Sequence, residues 1–437
     1  MIKKLKSTKQ ENKRTTLFFV KIMLLPLLFS SCQLIQKSSL KTHVKSISNE
    51  VANLPISFTG LSVYDLNQNK YLININDDHY FTPASNTKIL TLAAYLNLHL
   101  TNVPSFYYQK IENQLHLIPL GDPTFLHPEF EEQPGYTYLT SLLSDSLILH
   151  PPLHPISHYG PGWSWDDYNY SFQLERSWMP IFGNRVNIQS TPDKITISPS
   201  FFAPFVNVKA DEKYRDPVYN IFNYPMESIS NKKNNYAPFK VNHELLRKLL
   251  MDTLSVNVVL GPPEALGEGI VIEGPLAKPI LKKMMFLSDN FLAEQLLINA
   301  QRVQGYETQK AYLDYLKTSL FASLPDPLLW VDGSGLSVYN MNTPRNLVRV
   351  LEIIFHMITW DDIIELFPNK FSDEIINNSF VYAKTGTLRH NQALSGYLIA
   401  KSGRKLAFSF MSNHYTVPPA QIRAETKKIL LQIRDSY

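Results

Sequence analysis

The chain has one cysteine among 437 residues, at position 32. The rest of the protein therefore has no disulfide to form and no thiol nucleophile, which excludes cysteine-based catalysis. Glycine is scarce, with 16 residues against 29 prolines, and the chain has no repeating triplet or longer period, so collagen-like and solenoid folds are excluded. Hydrophobic residues make up 44% of the chain, which is too apolar for disorder. At about 150 residues per domain, this length predicts two or three globular domains.

A basic surface is missing from the body of the chain. Residues 1–31 carry seven positive charges and one negative charge, a net charge of +6. Because the whole chain has a net charge of +4, the residues from 32 onward have a net charge of −2. Phosphate binding needs a basic surface, so we expect no nucleic-acid partner. The leader instead has the layout of an export signal, with a basic stretch, the apolar run 22–29 and small residues. That run is shorter than the roughly 20 residues that a membrane-spanning helix needs.

Cys32 directly follows two serines in the sequence Leu-Phe-Ser-Ser-Cys. This junction resembles the bacterial lipobox, in which the leader is cut before a cysteine that carries lipid on its sulfur. Phe29 stands where a lipobox usually has leucine, and Lys21 interrupts the apolar stretch, so plain secretion is the alternative. We predict a signal peptide over residues 1–31, a polar tether over 32–50, and an exported protein held by a lipid anchor in the periplasm or cell envelope.

Hydrophobic periodicity divides the rest of the chain into three parts. Strand-like patterns cover residues 56–66 and 70–76, and a helix is expected to begin at Pro83 with Thr82 as its N-cap. Between residues 97 and 281 prolines and aromatics are frequent, strands look short and helical periodicity is weak. This region is therefore predicted to be an insertion of one or two mostly β domains, after which helical periodicity returns.

The C-terminal part has the clearest pattern. Residues 379–387, 393–400 and 405–412 read as three strands. An amphipathic helix follows, with its apolar stripe at Ile422, Ile429 and Ile433. Strands and a helix at both ends of the chain predict one discontinuous α/β domain, formed by residues 51–96 and 282–437 around the insertion.

The first candidate for chemistry is Ser-Asn-Thr-Lys at residues 85–88, on the first turn of the predicted helix. A spacing of three residues brings the Ser85 hydroxyl and the Lys88 amine together on one helical face. A serine becomes nucleophilic when a base takes its proton, and a desolvated lysine of lowered pKa can be that base. The helix N-terminus would favour a developing oxyanion. Three other Ser-x-x-Lys patterns occur, but only this one opens an apolar helix.

The second candidate is Ser288-Asp289-Asn290, which lies between two helical patterns. A loop there could present a hydroxyl and an amide to a cleft. The simpler alternative is that Ser288 only caps the following helix.

The third candidate is Lys-Thr-Gly-Thr at residues 384–387, at the end of a predicted strand. Gly386 would let a ligand approach the backbone edge, and the neighbouring side chains supply a cation and hydroxyls for a carboxylate. The alternative is a solvent-facing Lys384 before a turn glycine.

Ser-x-x-Lys, Ser-Asp-Asn and Lys-Thr-Gly, in this order, form the signature of serine β-lactamases and penicillin-binding proteins. The long insertion and three further sequences narrow the match: Gly-Asp-Pro at 121–123, Pro-Gly-Trp-Ser-Trp-Asp-Asp at 161–167 and Asp-Gly-Ser-Gly-Leu-Ser at 332–337. From about residue 55 onward, the chain resembles penicillin-binding protein 4-type D-alanyl-D-alanine carboxypeptidase/endopeptidases, of low-molecular-mass class C. It departs from them after the third motif, where Leu-Arg-His-Asn at 388–391 replaces the usual small residues.

The resemblance implies a penicillin-recognising transpeptidase-like fold, with a five-stranded antiparallel sheet and helices, interrupted by the insertion. It implies a serine D,D-peptidase that acts on peptidoglycan stem peptides through an acyl-enzyme on Ser85, with β-lactams as covalent inhibitors and no cofactor. Whether carboxypeptidase or endopeptidase activity dominates is left open. So are a β-lactamase or esterase on the same core and a catalytically silent wall-binding scaffold.

The resemblance also assigns roles to single residues. Ser85 would attack the penultimate D-alanine with Lys88 as its base, Ser288 would relay a proton to the leaving amine, and Asn290 would position the substrate. The backbone N–H groups of Ser85 and Thr387 would form the oxyanion hole.

The substrate's terminal carboxylate would be held by Lys384 and Thr385 together with Thr387, on the strand that contains Gly386. Asp167 is the candidate for contacting an amino group of the diamino residue in the stem peptide, with a plain turn as the alternative. The glycines of 332–337 are expected to permit a tight structural loop near the site.

Three histidines are spaced as metal ligands on a helix would be. His150, His154 and His158 recur every four residues, which would align them on a helix. Three prolines lie between them and prevent a regular helix, so we expect no metal.

Overall fold

The computed structural model describes residues 45–51, 57–143, 146–191, 194–227, 235–263, 269–373 and 378–437. The predicted signal peptide and Cys32, with most of the predicted tether, lie outside the described residues. The last part of the expected tether is not an extended segment, because residues 45–51 are helical. Ile47 and Val51 are buried against the C-terminal part of the chain, so this short helix packs on the body of the protein.

The strands and helices follow in chain order. The strands are β1 (Phe58–Asp65), β2 (Lys70–Ile75), β3 (Asn102–Ile111), β4 (Gln114–Pro119), β5 (Ser146–Leu149), β6 (Arg185–Ser190), β7 (Ile195–Ser198), β8 (Val206–Asn207), β9 (Tyr214–Arg215), β10 (Phe222–Asn223), β11 (Asn235–Pro238), β12 (Asn257–Leu260), β13 (Ile270–Leu276), β14 (Asn369–Asp373), β15 (Asn378–Leu388), β16 (Asn391–Ile399) and β17 (Lys405–Asn413). The helices are α1 (Thr87–Leu96), α2 (Pro134–Leu142), α3 (His243–Leu254), α4 (Ala277–Leu287), α5 (Asn290–Val303), α6 (Gln309–Thr318), α7 (Pro344–Met357), α8 (Trp360–Leu366) and α9 (Pro419–Ser436).

The two ends of the chain form one antiparallel sheet in the order β14-β15-β16-β17-β1-β2. All five strands predicted from the sequence are present in it. The sheet has six strands rather than five, because β14 pairs with β15 at one edge. Its sequence, Asn-Lys-Phe-Ser-Asp, lacks the alternation of a half-buried strand, and its register with β15 is irregular. Short, polar edge strands of this kind leave little signal in a sequence.

The sheet separates two apolar layers. On one face, α9 packs with Ile429, Leu430 and Ile433 against the strands, as the apolar stripe predicts. On the other face, α1 and the helices α4 to α8 form the largest hydrophobic core. In the described ranges, no helix is long and apolar enough to cross a membrane.

The insertion has a hydrophobic core of its own. It contains a five-stranded sheet in the order β12-β5-β4-β3-β13 and two three-stranded sheets, β11-β6-β7 and β8-β10-β9. It is therefore mostly β, as predicted. The helices α2 and α3 were not predicted, although Asn242 caps α3 by accepting a hydrogen bond from the Leu245 N–H at 2.8 Å. Segments rich in proline and aromatic residues surround both helices. The helical periodicity of hydrophobic residues is therefore difficult to recognise in this part of the sequence.

The start of α1 differs from the prediction. Ala84–Asn86 form a 3-10 turn, and the α-helix begins at Thr87. The turn has no side-chain cap, so Thr82 is not the N-cap. The Asn86 side chain does not cap the helix either, because its amide donates to the Lys384 carbonyl of β15 at 2.8 Å. The Asn86 side chain therefore binds this turn to the sheet instead of capping the helix.

Candidate active site

Ser85 and Lys88 are brought together at the start of α1. The Lys88 ammonium nitrogen lies 3.0 Å from the Ser85 hydroxyl oxygen, as the spacing of three predicts. Ser85 is half-buried, whereas Lys88 has no exposed surface. The other two partners of Lys88 are the Asn290 side-chain oxygen and the Ser334 carbonyl oxygen, each at 2.7 Å. Ser85, Lys88 and Asn290 therefore form one hydrogen-bonded cluster.

The surroundings of Lys88 shift its amine toward the neutral form. Burial lowers its pKa to about 8, against the opposing effect of nearby carboxylates, chiefly Asp332. The orientation of Asn290 is fixed, because its NH₂ group donates to the Phe172 carbonyl at 3.1 Å and leaves its oxygen toward Lys88. A neutral amine has two N–H groups and one lone pair. The Asn290 and Ser334 oxygens take the two N–H groups, so the lone pair faces the hydroxyl of Ser85.

Ser288 does not cap α5, which rules out the simpler alternative for this residue. Asp289 is the N-cap and accepts from the Leu292 N–H at 2.9 Å. Ser288 instead ends α4 in a left-handed conformation, with φ of 56°. Its hydroxyl accepts a hydrogen bond from the Lys384 ammonium group at 2.9 Å. The second and third motifs are thus joined directly.

Lys384 is 1% exposed, so it is not the solvent-facing lysine of the alternative interpretation. Burial, together with the positive charges of Lys88 and Lys370, lowers its pKa to about 6. Its remaining contact is a hydrogen bond to the Thr385 carbonyl at 2.9 Å. When Lys384 is charged, only neutral groups contact its ammonium group, so its charge is unbalanced. An anionic ligand would balance this charge.

Gly386 lets β15 lie directly against the turn that carries Ser85. A Cβ atom at this position would lie 2.4 Å from the Pro83 carbonyl oxygen and 3.0 Å from the Asn86 nitrogen. Since β14 pairs with β15 only as far as Tyr382, no strand of the described chain covers the edge of β15 from Lys384 onward. An extended peptide can therefore pair with this edge, beside Ser85.

Thr385 and Thr387 lie on the same strand as Lys384, and the role expected for the three together stays a prediction. Side chains alternate along a strand, so both threonines lie on the opposite face of β15 from Lys384. Thr385 is directly opposite Leu394 of β16 and Thr387 is opposite Gln392. Thr385 is half-buried there and Thr387 is exposed.

The loop at 332–337 is tight and structural, as expected. Its centre is Asp332, whose buried carboxylate accepts from four donors: Gly335 N–H at 2.9 Å, Ser337 N–H at 2.7 Å, the Asn340 amide at 2.7 Å and the Trp163 indole at 2.9 Å. Gly335 has φ of +82°, and a Cβ atom there would lie 2.0 Å from the Ala84 carbonyl. The loop thus packs against the Ser85 turn and presents the Ser334 carbonyl to Lys88.

Glu294 belongs to the site but was not singled out in the sequence. It is 1% exposed, accepts from the Ser334 N–H at 2.7 Å and faces Arg176 at 3.5 Å. Burial raises its pKa to about 7, with the Asp332 carboxylate contributing. Its position one helical turn after Asn290 is the sequence signal that could have identified it.

Asp167 lies in a 3-10 turn at Trp165–Asp167 and is half-buried. The segment around it borders the site, because Trp163 bonds to Asp332 and the Phe172 carbonyl to Asn290. Burial raises the pKa of Asp167, and the charge of Asp166 adds to this shift.

The three spaced histidines have separate partners. His150 lies 2.9 Å from His116, His154 lies 2.8 Å from Glu307, and the nearest carboxylate to His158 is Glu175 at 3.7 Å. Within the part of the chain that the structure describes, no cluster of three or more ligating residues could hold a metal ion.

Comparisons with known proteins identify the family of this chain. The model of the D-Ala-D-Ala carboxypeptidase 3 (S13) family matches residues 40–215 and 273–433. The chain is 23% identical over 448 residues to D-alanyl-D-alanine carboxypeptidase DacB of Haemophilus influenzae, covering 88% of this chain and 91% of that protein.

Solved structures show the same fold. The crystal structure of penicillin binding protein 4 (dacB) from Haemophilus influenzae has a TM-score of 0.66 and 21% identity, covering 90% of this chain and 99% of that chain. The structure of that protein complexed with a novel β-lactam has a TM-score of 0.60 and 19% identity, with the same coverage. The α/β class with a mostly β insertion is confirmed.

Proposed function

This chain belongs to the D-Ala-D-Ala carboxypeptidase 3 (S13) family and is a serine hydrolase, and on that basis we propose how its site cuts peptidoglycan stem peptides. Ser85 is the nucleophile, and the bond cut lies between the two terminal D-alanines. The observation that carries the proposal is the environment of Lys88. This amine is buried with three hydrogen-bond partners, and of these only Ser85 has a proton to give.

In the first step, Lys88 takes the proton of the Ser85 hydroxyl as its oxygen attacks the carbonyl carbon of the penultimate D-alanine. The N–H groups of Ser85 and Thr387 stabilise the oxyanion. The C–N bond then breaks, and the Ser288 hydroxyl gives its proton to the leaving amine. Ser288 regains a proton from Lys384, to which it is hydrogen-bonded. The products are free D-alanine and an ester on Ser85.

The second step runs the same transfers in reverse, with water in place of the amine. Water attacks the ester and loses a proton to Ser288, which passes one on to Lys384. Lys88 returns its proton to the Ser85 oxygen as the ester bond breaks. The peptide leaves with a new carboxylate, and both lysines regain their starting charge. A β-lactam would acylate Ser85 by the first step and block the second.

Covalent labelling with a fluorescent penicillin tests this proposal. We expect a persistent label on the wild type and none on Ser85→Ala. Ser402→Ala is the matched control, because it removes a serine from another Ser-x-x-Lys pattern, in the turn after β16. A label that decays within seconds would indicate a β-lactamase. A folded wild type that takes no label would contradict the enzyme proposal and leave a wall-binding scaffold.

A digest of purified sacculi, resolved by mass, separates the two peptidase activities. Loss of terminal D-alanine with intact cross-linked dimers would show a carboxypeptidase alone. Loss of the dimers as well would show endopeptidase activity. Asp167 is proposed to contact the amino group of the diamino residue, so Asp167→Asn is expected to weaken hydrolysis of stem peptides that carry this residue. A lysine-free, neutral peptide serves as the control substrate.

A peptidoglycan hydrolase meets its substrate outside the cytoplasmic membrane, so the enzyme acts there. We propose further that residues 1–31 direct export and that Cys32 carries a lipid anchor. The support is the basic and apolar leader that ends in Leu-Phe-Ser-Ser-Cys. Labelling of cells with a fatty-acid analogue tests this, since Cys32→Ser would abolish both the label and the membrane attachment. An unlabelled but exported wild type would indicate plain secretion.

A further inference from the structure

Arg176 lies at the boundary between the insertion and the helices of the catalytic part. On the side of the insertion, its guanidinium group donates hydrogen bonds to the Ser157 carbonyl at 3.0 Å and to the Tyr159 carbonyl at 2.9 Å. On the other side, it donates to the Gln309 side-chain oxygen at 2.6 Å and faces the Glu294 carboxylate at 3.5 Å. Contacts in both directions fix this side chain, so its positive charge is held in one place.

The charge of Arg176 is buried beside that of Glu294. The Arg176 side chain is 4% exposed and the Glu294 side chain is 1% exposed. The other hydrogen-bond acceptors of the guanidinium group are neutral oxygen atoms. Burial and the Asp332 carboxylate together raise the pKa of Glu294 to about 7, and the charge of Arg176 opposes them. Without this cation, Glu294 would lose the opposite charge that it faces and would bind a proton.

Arg176 also supports the loop that is centred on Asp332. The two carbonyl groups that it binds belong to residues 157–163 of the insertion. Trp163, at the end of this segment, donates its indole N–H to the Asp332 carboxylate at 2.9 Å. Arg176 therefore holds the loop that carries Ser334 by a second route, which passes through the insertion.

We propose that Arg176 is a positioning residue of the reaction. It keeps the Glu294 carboxylate charged and in place against the Ser334 N–H, and this contact directs the Ser334 carbonyl toward Lys88. Through Arg176, the insertion thereby acts on the proposed base. The inference rests on the proposed function, because it concerns how Lys88 is held as the base.

Several charged groups surround Lys88, and the effect of Arg176 can be separated from theirs. Carboxylates that favour the charged form of Lys88 lie near it together with a second cation, and these groups are Asp332, Asp289, Glu294 and Lys384. Glu294 is the one that faces Arg176 in an ion pair, in the ranges that the structure describes. Removal of the Arg176 charge would neutralise Glu294, which then no longer favours the charged form of Lys88. Lys88 would therefore lose its proton at lower pH.

The test follows the rate of penicillin acylation of Ser85 as a function of pH. Arg176→Gln removes the charge, whereas Arg176→Lys keeps it but cannot form all the hydrogen bonds of the guanidinium group. Arg176→Gln is also combined with Glu294→Gln in a double variant. Melting temperatures check that each variant is folded.

A milder variant and a control complete the set. Gln309→Glu brings a second carboxylate to Arg176 at the first position of α6, where a negative charge suits the helix. It therefore competes with Glu294 for Arg176 and leaves the buried arginine in place. Arg247→Gln is the control, because Arg247 is an arginine of the insertion that pairs with a glutamate on the surface of α3.

We expect Arg176→Gln to lower the pH optimum of acylation by about 0.5 unit, in the same direction as Glu294→Gln. Gln309→Glu should lower the optimum too, and Arg247→Gln should leave it unchanged. Arg176→Lys should keep the wild-type optimum but slow acylation by up to about 10²-fold, since the loop is then held less precisely. The double variant should show the optimum of Glu294→Gln with no further change, because Arg176 then has no carboxylate to act on.

An optimum that stays at the wild-type pH in both Arg176→Gln and Gln309→Glu would overturn the proposal. Equal changes in Arg176→Gln and Arg176→Lys would do the same, because the charge would then not be responsible. A further change of the optimum in the double variant would show that Arg176 acts on Lys88 by a route other than Glu294, which also contradicts the proposal.

These results differ from a failure of the proposed function. If this inference alone fails, the wild type and Arg247→Gln still take the penicillin label on Ser85. If the proposed function fails, the wild type takes no label at any pH. The melting temperatures then still report on the pair Arg176 and Glu294, because loss of one buried partner is more destabilising than loss of both.

Discussion

A carboxylate oxygen of Glu294 accepts a hydrogen bond from the backbone N–H of Ser334 at 2.7 Å, and the carbonyl of Ser334 accepts one from Lys88 at the same distance. Glu294 also faces Arg176 of the insertion at 3.5 Å. One buried carboxylate therefore links the proposed base of the reaction to the inserted region. Its negative charge raises the pKa of Lys88.

We expect Glu294→Gln to move the pH dependence of penicillin acylation to lower pH. The amide oxygen of glutamine can still accept from Ser334, so the loop keeps its shape. The negative charge that raises the pKa of Lys88 is lost, and Lys88 is then neutral at lower pH. Glu365→Gln, on the surface of α8, is the control. An unchanged pH profile with a lower melting temperature would mean that Glu294 has only a structural role.

The pH dependence of kcat/KM is expected to be bell-shaped, with its maximum near the middle of the interval between the two lysine pKa values. Lys88 must be neutral to act as a base, and its pKa is about 8, so activity rises as pH increases toward that value. Lys384 must be charged to attract a carboxylate and to supply a proton, and its pKa is about 6, so activity falls as pH increases from that value. The two limbs therefore lie at about pH 6 and pH 8.

This profile is measured with a D-Ala-D-Ala peptide in constant ionic strength. The alkaline limb should appear in both KM and kcat, because Lys384 is proposed both to attract the carboxylate and to supply a proton. A rate that only rises between pH 5 and pH 9 would contradict the assignment of Lys384.

Gly386→Ala is expected to disrupt the contact between β15 and the Ser85 turn. The new methyl group would meet the Pro83 carbonyl at 2.4 Å, and both partners are backbone, so neither can move aside cheaply. We expect a loss of about 1–3 kcal/mol in the free energy of unfolding and slower acylation. Gly403→Ala is the control, because nothing lies within 4 Å of its added carbon and only its positive φ is strained. Equal effects of the two substitutions on acylation would contradict this explanation.

Ser288→Ala should slow peptide hydrolysis by about 10²- to 10⁴-fold, which is the usual contribution of a general acid or base. The substitution removes the hydroxyl between Lys384 and the leaving amine. Thr385→Val removes a hydroxyl from the other face of the same strand and is expected to act mainly on KM. Single-turnover kinetics separate the two effects. A Ser288→Ala enzyme with normal kcat would exclude the proton relay.

Local patterns predicted much of the fold. The five strands of the main sheet that alternate in hydrophobicity were found from sequence, as was α9 with its stripe of Ile422, Ile429 and Ile433. The pair Ser85 and Lys88 depends only on helical spacing, so it was predicted as well. For each of these features, the sequence pattern that predicts it lies within a few neighbouring residues.

Features that depend on distant contacts were not predicted. The start of α1 depends on Asn86, whose amide bonds to a carbonyl 298 residues away. Glu294 is important through Arg176, which is 118 residues distant. The polar strand β14 gains its structure only by pairing with β15.

The insertion separates the proposed catalytic residues along the chain. Ser85 and Lys88 precede it, whereas Ser288 and Lys384 follow it, and β1 pairs with β17 across 353 residues between Thr59 and Ser412. The proposed nucleophile is therefore synthesised well before its proposed partners. A chain cut short during translation would carry the serine but no edge of β15 and no proton relay. A functional site therefore requires residues from about the last seventh of the polypeptide.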